Sequence, residues 1–207
     1  KILLKYKIDS LAITNKKKAF EMLGKDVSEV DKERWENESE NLEYGISYMK
    51  SLVKNDNLDL AISVGEELLL YHKKDKRLLQ LISDVYINNY EDNAATKYLE
   101  KLMIIDSSNN KYMIKLSNVY LNLFDFKHAY LWANKSINTN NHLGKSYFQR
   151  AEVLVQTAEN CRSDELDFCD RLIYDLAAED YQKAYDNNNF NGLRYKNNLK
   201  GLITTVG

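Results

Sequence analysis

Ser83-Asp84-Val85-Tyr86, Ser117-Asn118-Val119-Tyr120 and Ala151-Glu152-Val153-Leu154 recur with a period of about 34 residues. In the segments between them Ala61, Ala95 and Ala129 keep the same spacing. A fixed period of this length marks a solenoid, in which each unit buries its apolar face against the next. A small residue at Ser83, Ser117 or Ala151 lets two antiparallel helices approach closely. Tyr86 and Tyr120, three positions further on, lie on the same face and fill the wedge beside that contact. The Ser/Ala set therefore belongs to the first helices of successive pairs, and the Ala61-Ala95-Ala129 set to the second helices. The expected fold is all-α, a solenoid of antiparallel helix pairs.

The totals of the 207-residue chain agree with a folded scaffold. Hydrophobic residues make up 44%, and 29 Lys and Arg stand against 31 Asp and Glu for a net charge of -2. That balance supplies no general cationic footprint, which argues against nucleic acid as a partner. No apolar run approaches the roughly 18 residues of a membrane span. The chain begins at Lys1, so the lack of a targeting segment says nothing about the gene product, and location stays open between cytoplasm and bacterial cell envelope. Proline is absent, which suits an unbroken helical array.

In chain order, residues 1–40 read as divergent N-terminal helices, with a break expected at Thr14-Asn15 and a stop at Gly24. Lys16-Lys17-Lys18 reads as a solvated face. Ser28 offers an N-cap with Asp31 as a weak capping box, opening one long helix that runs to about Lys54. Its exposed face is acidic and includes Glu29, Asp31, Glu33, Glu36, Glu38, Glu40 and Glu43. Residues 41–74 form a divergent repeat in which Met49 replaces the expected small residue. Two regular repeats follow at 75–107 and 108–140, with Asp92 and Asp125 as caps of their second helices. The next repeat, 141–187, carries its second-helix set late, as Ala177, Tyr181 and Ala184. Ala177 follows Ala129 by well over one period, so an inter-helix insertion is expected near 157–170. Residues 190–202 read as the start of a further pair. Its apolar face (Phe190, Leu193, Tyr195, Leu199) has no following helix to cover it, so either self-association through the C-terminal helix or a further C-terminal segment is expected.

This organisation resembles the tetratricopeptide-repeat family, most clearly over residues 78–185. The segment Leu176-Ala177-Ala178-Glu179-Asp180-Tyr181 also looks like repeat proteins of Bacteroidetes-type bacteria, many of unassigned role. Departures from the family pattern are the loss of the late small residue at Leu102 and Ser136, and of the proline before each unit. Ser107 and Asn141 stand in the proline's place, beside helix-starting Ser108 and Asn140. The resemblance implies a right-handed superhelix whose concave face is lined by first helices. Carried over residue by residue, that groove holds Arg77, Gln80, Asp84 and Asn88, then Lys111, Asn118 and Asn122, then Lys145, Phe148, Glu152 and Gln156. The family's clamp for a free C-terminal carboxylate needs an asparagine where Ile82, Leu116 and Arg150 stand, so an internal acidic or mixed segment is the expected ligand.

Nothing in the chain reads as catalysis. There is no phosphate loop, nucleophile elbow, zinc-protease helix or calcium loop, and no cofactor or metal is expected. His72, His128 and His142 fall singly near element ends, as surface or capping residues. Cys161 and Cys169 lack zinc-ligand spacing and read as free thiols. The expected function is a scaffold that binds a protein or peptide segment in the concave groove. The alternative is a structural component of a larger assembly, using the convex face or the C-terminal insertion.

Overall fold

The computed structural model describes residues 2–139, 143–162 and 167–203, and among them the regular elements are eleven α-helices. They are α1 (Ile2–Met22), α2 (Ser28–Asn37), α3 (Leu42–Lys54), α4 (Leu58–Tyr71), α5 (Lys76–Asn88) and α6 (Asp92–Ile105). The rest are α7 (Asn110–Asn122), α8 (Phe126–Asn138), α9 (Leu143–Cys161), α10 (Phe168–Asp186) and α11 (Asn191–Ile203). No helix among the described residues is long and apolar enough to cross a membrane. The chain divides into two compact units, residues 1–98 and 99–207.

In the first unit α1 is continuous through Thr14-Asn15, because neither residue prevents helical hydrogen bonding there. Gly24 ends it in the left-handed conformation (φ 64°), where its amide donates to Glu21 and that of Lys25 donates to Phe20. The long helix expected from Ser28 to Lys54 is two helices. The Asn41 carboxamide accepts from the amides of Glu43 and Tyr44 and starts α3 afresh. Ser28 is the first residue of α2, not its cap. Asp26 takes its amide and hydroxyl at 3.0 and 2.8 Å.

The break lets α2 pack against α3, and Asp31 is thereby removed from the solvated acidic face to 1% exposure. Lys17 Nζ (2.6 Å), Ser47 Oγ (3.0 Å) and Ser51 Oγ (2.6 Å) all donate to its carboxylate. Lys17 is correspondingly no solvated lysine, with its side chain only 16% exposed. Met49 is fully buried, and its space comes from the facing helix. A Cβ at Gly65 would lie 2.7 Å from Met49 Cε and 2.6 Å from Ile82 Cγ1. The small residue has changed sides of the contact.

The small-residue registers are wholly buried. Ala61, Ser83 and Ala95 in the first unit and Ser117, Ala129 and Ala151 in the second have no exposed surface. Asp56, Tyr90 and Phe124, also one period apart, hold φ of 59°, 59° and 58° in the turns between paired helices. Asp125 caps α8 through the His128 amide, whereas Asp92 is the first residue of α6. Asn109, and not Ser108, caps α7; Asn140, Asn141 and His142 lie outside the described residues.

In the second unit the Asn110 side chain donates to Ser136 O (2.7 Å), Thr139 Oγ1 (3.0 Å) and Ser146 Oγ (2.9 Å), tying α7 to α8 and α9. Helices α9 and α10 each run 19 residues against 13 in α7 and α8, so extra chain is spent on lengthening both. Asp167 and Asp170 close a capping box at the start of α10. The Arg150 guanidinium bridges Asp180 (2.6 and 2.8 Å) and Asn134. Ala177 and Tyr181 are buried with Tyr174 in the core between α9 and α10, and Ala184 is buried beside Gly192 of α11.

A second repeated device escapes a reading of small residues. Tyr86 Oη donates to Glu66 at 2.6 Å, and Tyr120 Oη to Glu100 at 3.1 Å. Both members recur after one full period. Each bond joins a first helix to the second helix of the preceding pair. Burial raises both phenol pKa values, and the carboxylate bonds raise them further. Tyr120→Phe is expected to lower unfolding free energy by about 0.5–1.5 kcal/mol, measured by urea denaturation. A stability equal to wild type would show the bond contributes nothing.

Candidate peptide-binding surface

In the first unit the helices α3 and α5 lie side by side, and the candidate residues project from α5. Arg77 is exposed, and its guanidinium meets Glu43 at 2.7 Å and Asp75 at 3.5 Å. Glu43 stands one full period before Arg77, in the equivalent register of α3. That spacing was the available signal for a pairing that sequence reasoning missed. The positive charge at this register is therefore balanced within the unit. Gln80 and Asn88 are exposed, and Asp84 is half-buried. Asn88 and Ile87 line a cleft with Val53, Asp56, Leu58 and Tyr90.

In the second unit α7 and α9 are neighbours, and each carries an exposed lysine in its first turn, Lys111 and Lys145. Asn118 and Asn122 continue the exposed stripe along α7. The opposite face of that helix buries Tyr112, Met113, Leu116, Ser117 and Val119. The split follows from helical periodicity, since polar and apolar positions alternate every three to four residues.

The stripe on α9 is built differently. Phe148, Glu152 and Gln156 are half-buried. The Phe148 ring centre lies 5.4 Å from Tyr181 and 4.9 Å from Tyr195, so α10 and α11 both reach it. Glu152 accepts a hydrogen bond from Tyr181 Oη. Burial pushes the Glu152 carboxyl above the usual carboxylate range, while the Tyr181 bond acts in the opposite sense. Lys145 remains at the mouth of a cleft with Leu143, Phe148, Asn187 and Asn188.

The exposed set thus offers ammonium groups and carboxamides, which supply both a donor and an acceptor to a peptide backbone and favour anionic side chains. Among the described residues no group of three His, Cys, Asp or Glu could hold a metal ion. Cys161 and Cys169 are exposed free thiols. His72 Nε2 lies 2.8 Å from the Glu40 carbonyl oxygen, and the His128 ring stacks on Tyr120 and bonds Asp125.

No family model matches the sequence, and a search of curated proteins finds no match. Solved structures do match. MamA from Desulfovibrio magneticus RS-1 superposes with a TM-score of 0.68 at 13% identity, over 86% of this chain and 93% of that one. A tetratricopeptide-repeat protein from Parabacteroides merdae gives 0.57 at 16% identity, over 85% and 76% of the two chains. YrrB, described as a tetratricopeptide-repeat protein with an unusual peptide-binding site, gives 0.53 at 15% identity over 82% and 87%. At these identities the likeness is one of fold, and that fold is the tetratricopeptide-repeat type of helical solenoid.

Proposed function

We propose that this tetratricopeptide-repeat-type solenoid is a binding scaffold that holds an acidic or mixed segment of a protein along the first-helix face of its second unit. The observation that carries the reading is the exposed stripe of α7 and α9, with Lys111 and Lys145 at one register and Asn118 and Asn122 beyond. Lysines attract carboxylates of the segment, and the carboxamides can engage its backbone. The first unit is a poorer site for such a segment, because Glu43 already occupies the Arg77 guanidinium. YrrB, a structure of similar fold, is described with an unusual peptide-binding site. Duplex DNA is disfavoured by the net charge of -2, which supplies no compensating field for its phosphates.

Affinity is expected to be micromolar or weaker and to fall with salt, because exposed charges are screened beyond about 8–10 Å. The test is fluorescence anisotropy with a labelled Glu-Ala peptide and a Lys-Ala peptide of equal length as control. The acidic peptide should bind wild type at low salt, and a Lys111→Ala, Lys145→Ala double variant should bind it at least several-fold more weakly. Equal binding by both proteins with no salt response overturns the assignment. The longer α9 and α10 and the exposed leucines on α10 favour a second use of the chain, as an assembly component through a different face.

A further inference from the structure

Helices α10 and α11, joined by the short turn at 187–190, leave a surface groove between them that reaches Ala178 and Ile203 at the edge of their shared core. Its apolar end is formed by Leu172, Ala178 and Ile203, with Leu172 50% exposed and Leu176, one turn on, 46% exposed. Its two rims carry opposite charge. On α10 stand Asp175, Glu179 and Asp186 with Lys183 among them; on α11 stand Lys196 and Lys200. The register between the helices is pinned where Lys196 Nζ donates to Gln182 Oε1 at 3.0 Å. One helical turn further along α11, Lys200 comes level with Glu179, and beyond it Ile203 comes level with Asp175 and Leu172.

We propose that this groove is a contact between two copies of the chain, related by a two-fold axis running along it. Such an axis lays α11 of each copy over α10 of the other without changing their level. Lys200 of one copy then faces Glu179 and Asp175 of the second, Ile203 covers Leu172, and each contact occurs twice. A two-fold interface requires a self-complementary surface. A groove with one acidic rim, one basic rim and an apolar end meets that requirement, whereas a rim of one sign would repel its own copy. Within its own chain Glu179 also meets Lys183 at 3.6 Å and Lys200 has a partner of its own; such exposed interactions contribute little in water and can be shared with the second copy.

The geometry supplies its own test, because charge reversal on either rim breaks the homodimer while the two reversals complement one another. Sedimentation equilibrium of the full chain is expected to give a concentration-dependent dimer. Lys200→Glu and Glu179→Lys should each raise the dimer dissociation constant about tenfold or more, since like charges then face each other twice. Mixing the two variants should restore a dimer, because the introduced glutamate would meet the introduced lysine while the native Glu179 meets the native Lys200. Both substitutions are at exposed positions, and unchanged thermal melts confirm that folding is intact. The Lys111→Ala, Lys145→Ala variant should dimerise as wild type does, which separates this contact from the peptide surface. A wild-type chain that stays monomeric, including one whose groove instead takes another protein, overturns the proposal. So does a dimer that ignores both reversals, or a mixture of the two that remains monomeric.

Discussion

Asp31→Ala is expected to lower the unfolding free energy by about 3 kcal/mol, toward the lower end of the range for breaking a buried ion pair. The carboxylate is 1% exposed and gathers Lys17, Ser47 and Ser51, so its removal takes the counter-charge from an ammonium left with only the Ser47 hydroxyl and takes the acceptor from Ser51, at the meeting of α1, α2 and α3. The Lys17 side chain keeps 16% of its surface, which lets water take up part of the loss. Most of the cost is an uncompensated partner and not the strength of the pair. Replacing both members, as Asp31→Leu with Lys17→Met, should therefore recover much of the stability lost in the single variant. Urea melts of the three proteins decide it. A single variant as stable as wild type would mean the cluster does not hold α1 and α2 to the first repeat.

Ser117→Leu should cost about 3 kcal/mol or more, because it combines an overpacking penalty with a lost hydrogen bond. Overpacking a closed contact costs about 1–3 kcal/mol. The lost Ser117 Oγ bond to the Ala129 carbonyl (2.9 Å) adds about 1 kcal/mol. Neither helix can retreat cheaply, since Ser117 and Ala129 are both without exposed surface. Asn118→Leu, one position on, replaces an exposed side chain and should change stability by no more than about 0.5 kcal/mol. Equal losses in urea melts would show that α7 presents its faces the other way round.

What the sequence alone determined here is whatever repeats with the chain. The helix pairs, the buried small residues at Ser83, Ser117, Ala61, Ala95 and Ala129, and the split of α7 into apolar and polar faces follow from the fixed period and local helical geometry. Lys111 and Lys145 as exposed positions of equal register were legible for the same reason. The tertiary structure decided the features that need two elements at once. Asp31 looks like one more acid on a wet face until the Asn41 cap starts α3 afresh and lets α2 pack against it. Met49 looks like a broken register until Gly65 is found opposite, because the space at a helix contact can be surrendered by either partner. Arg77 resembles a free groove cation until Glu43 of the neighbouring helix reaches it. Phe148 and Glu152 resemble groove residues until Tyr181 and Tyr195, from two other helices, close on them. Spacing along a chain carries which face a side chain occupies. Its partner on that face belongs to another element, and only packing brings the two together.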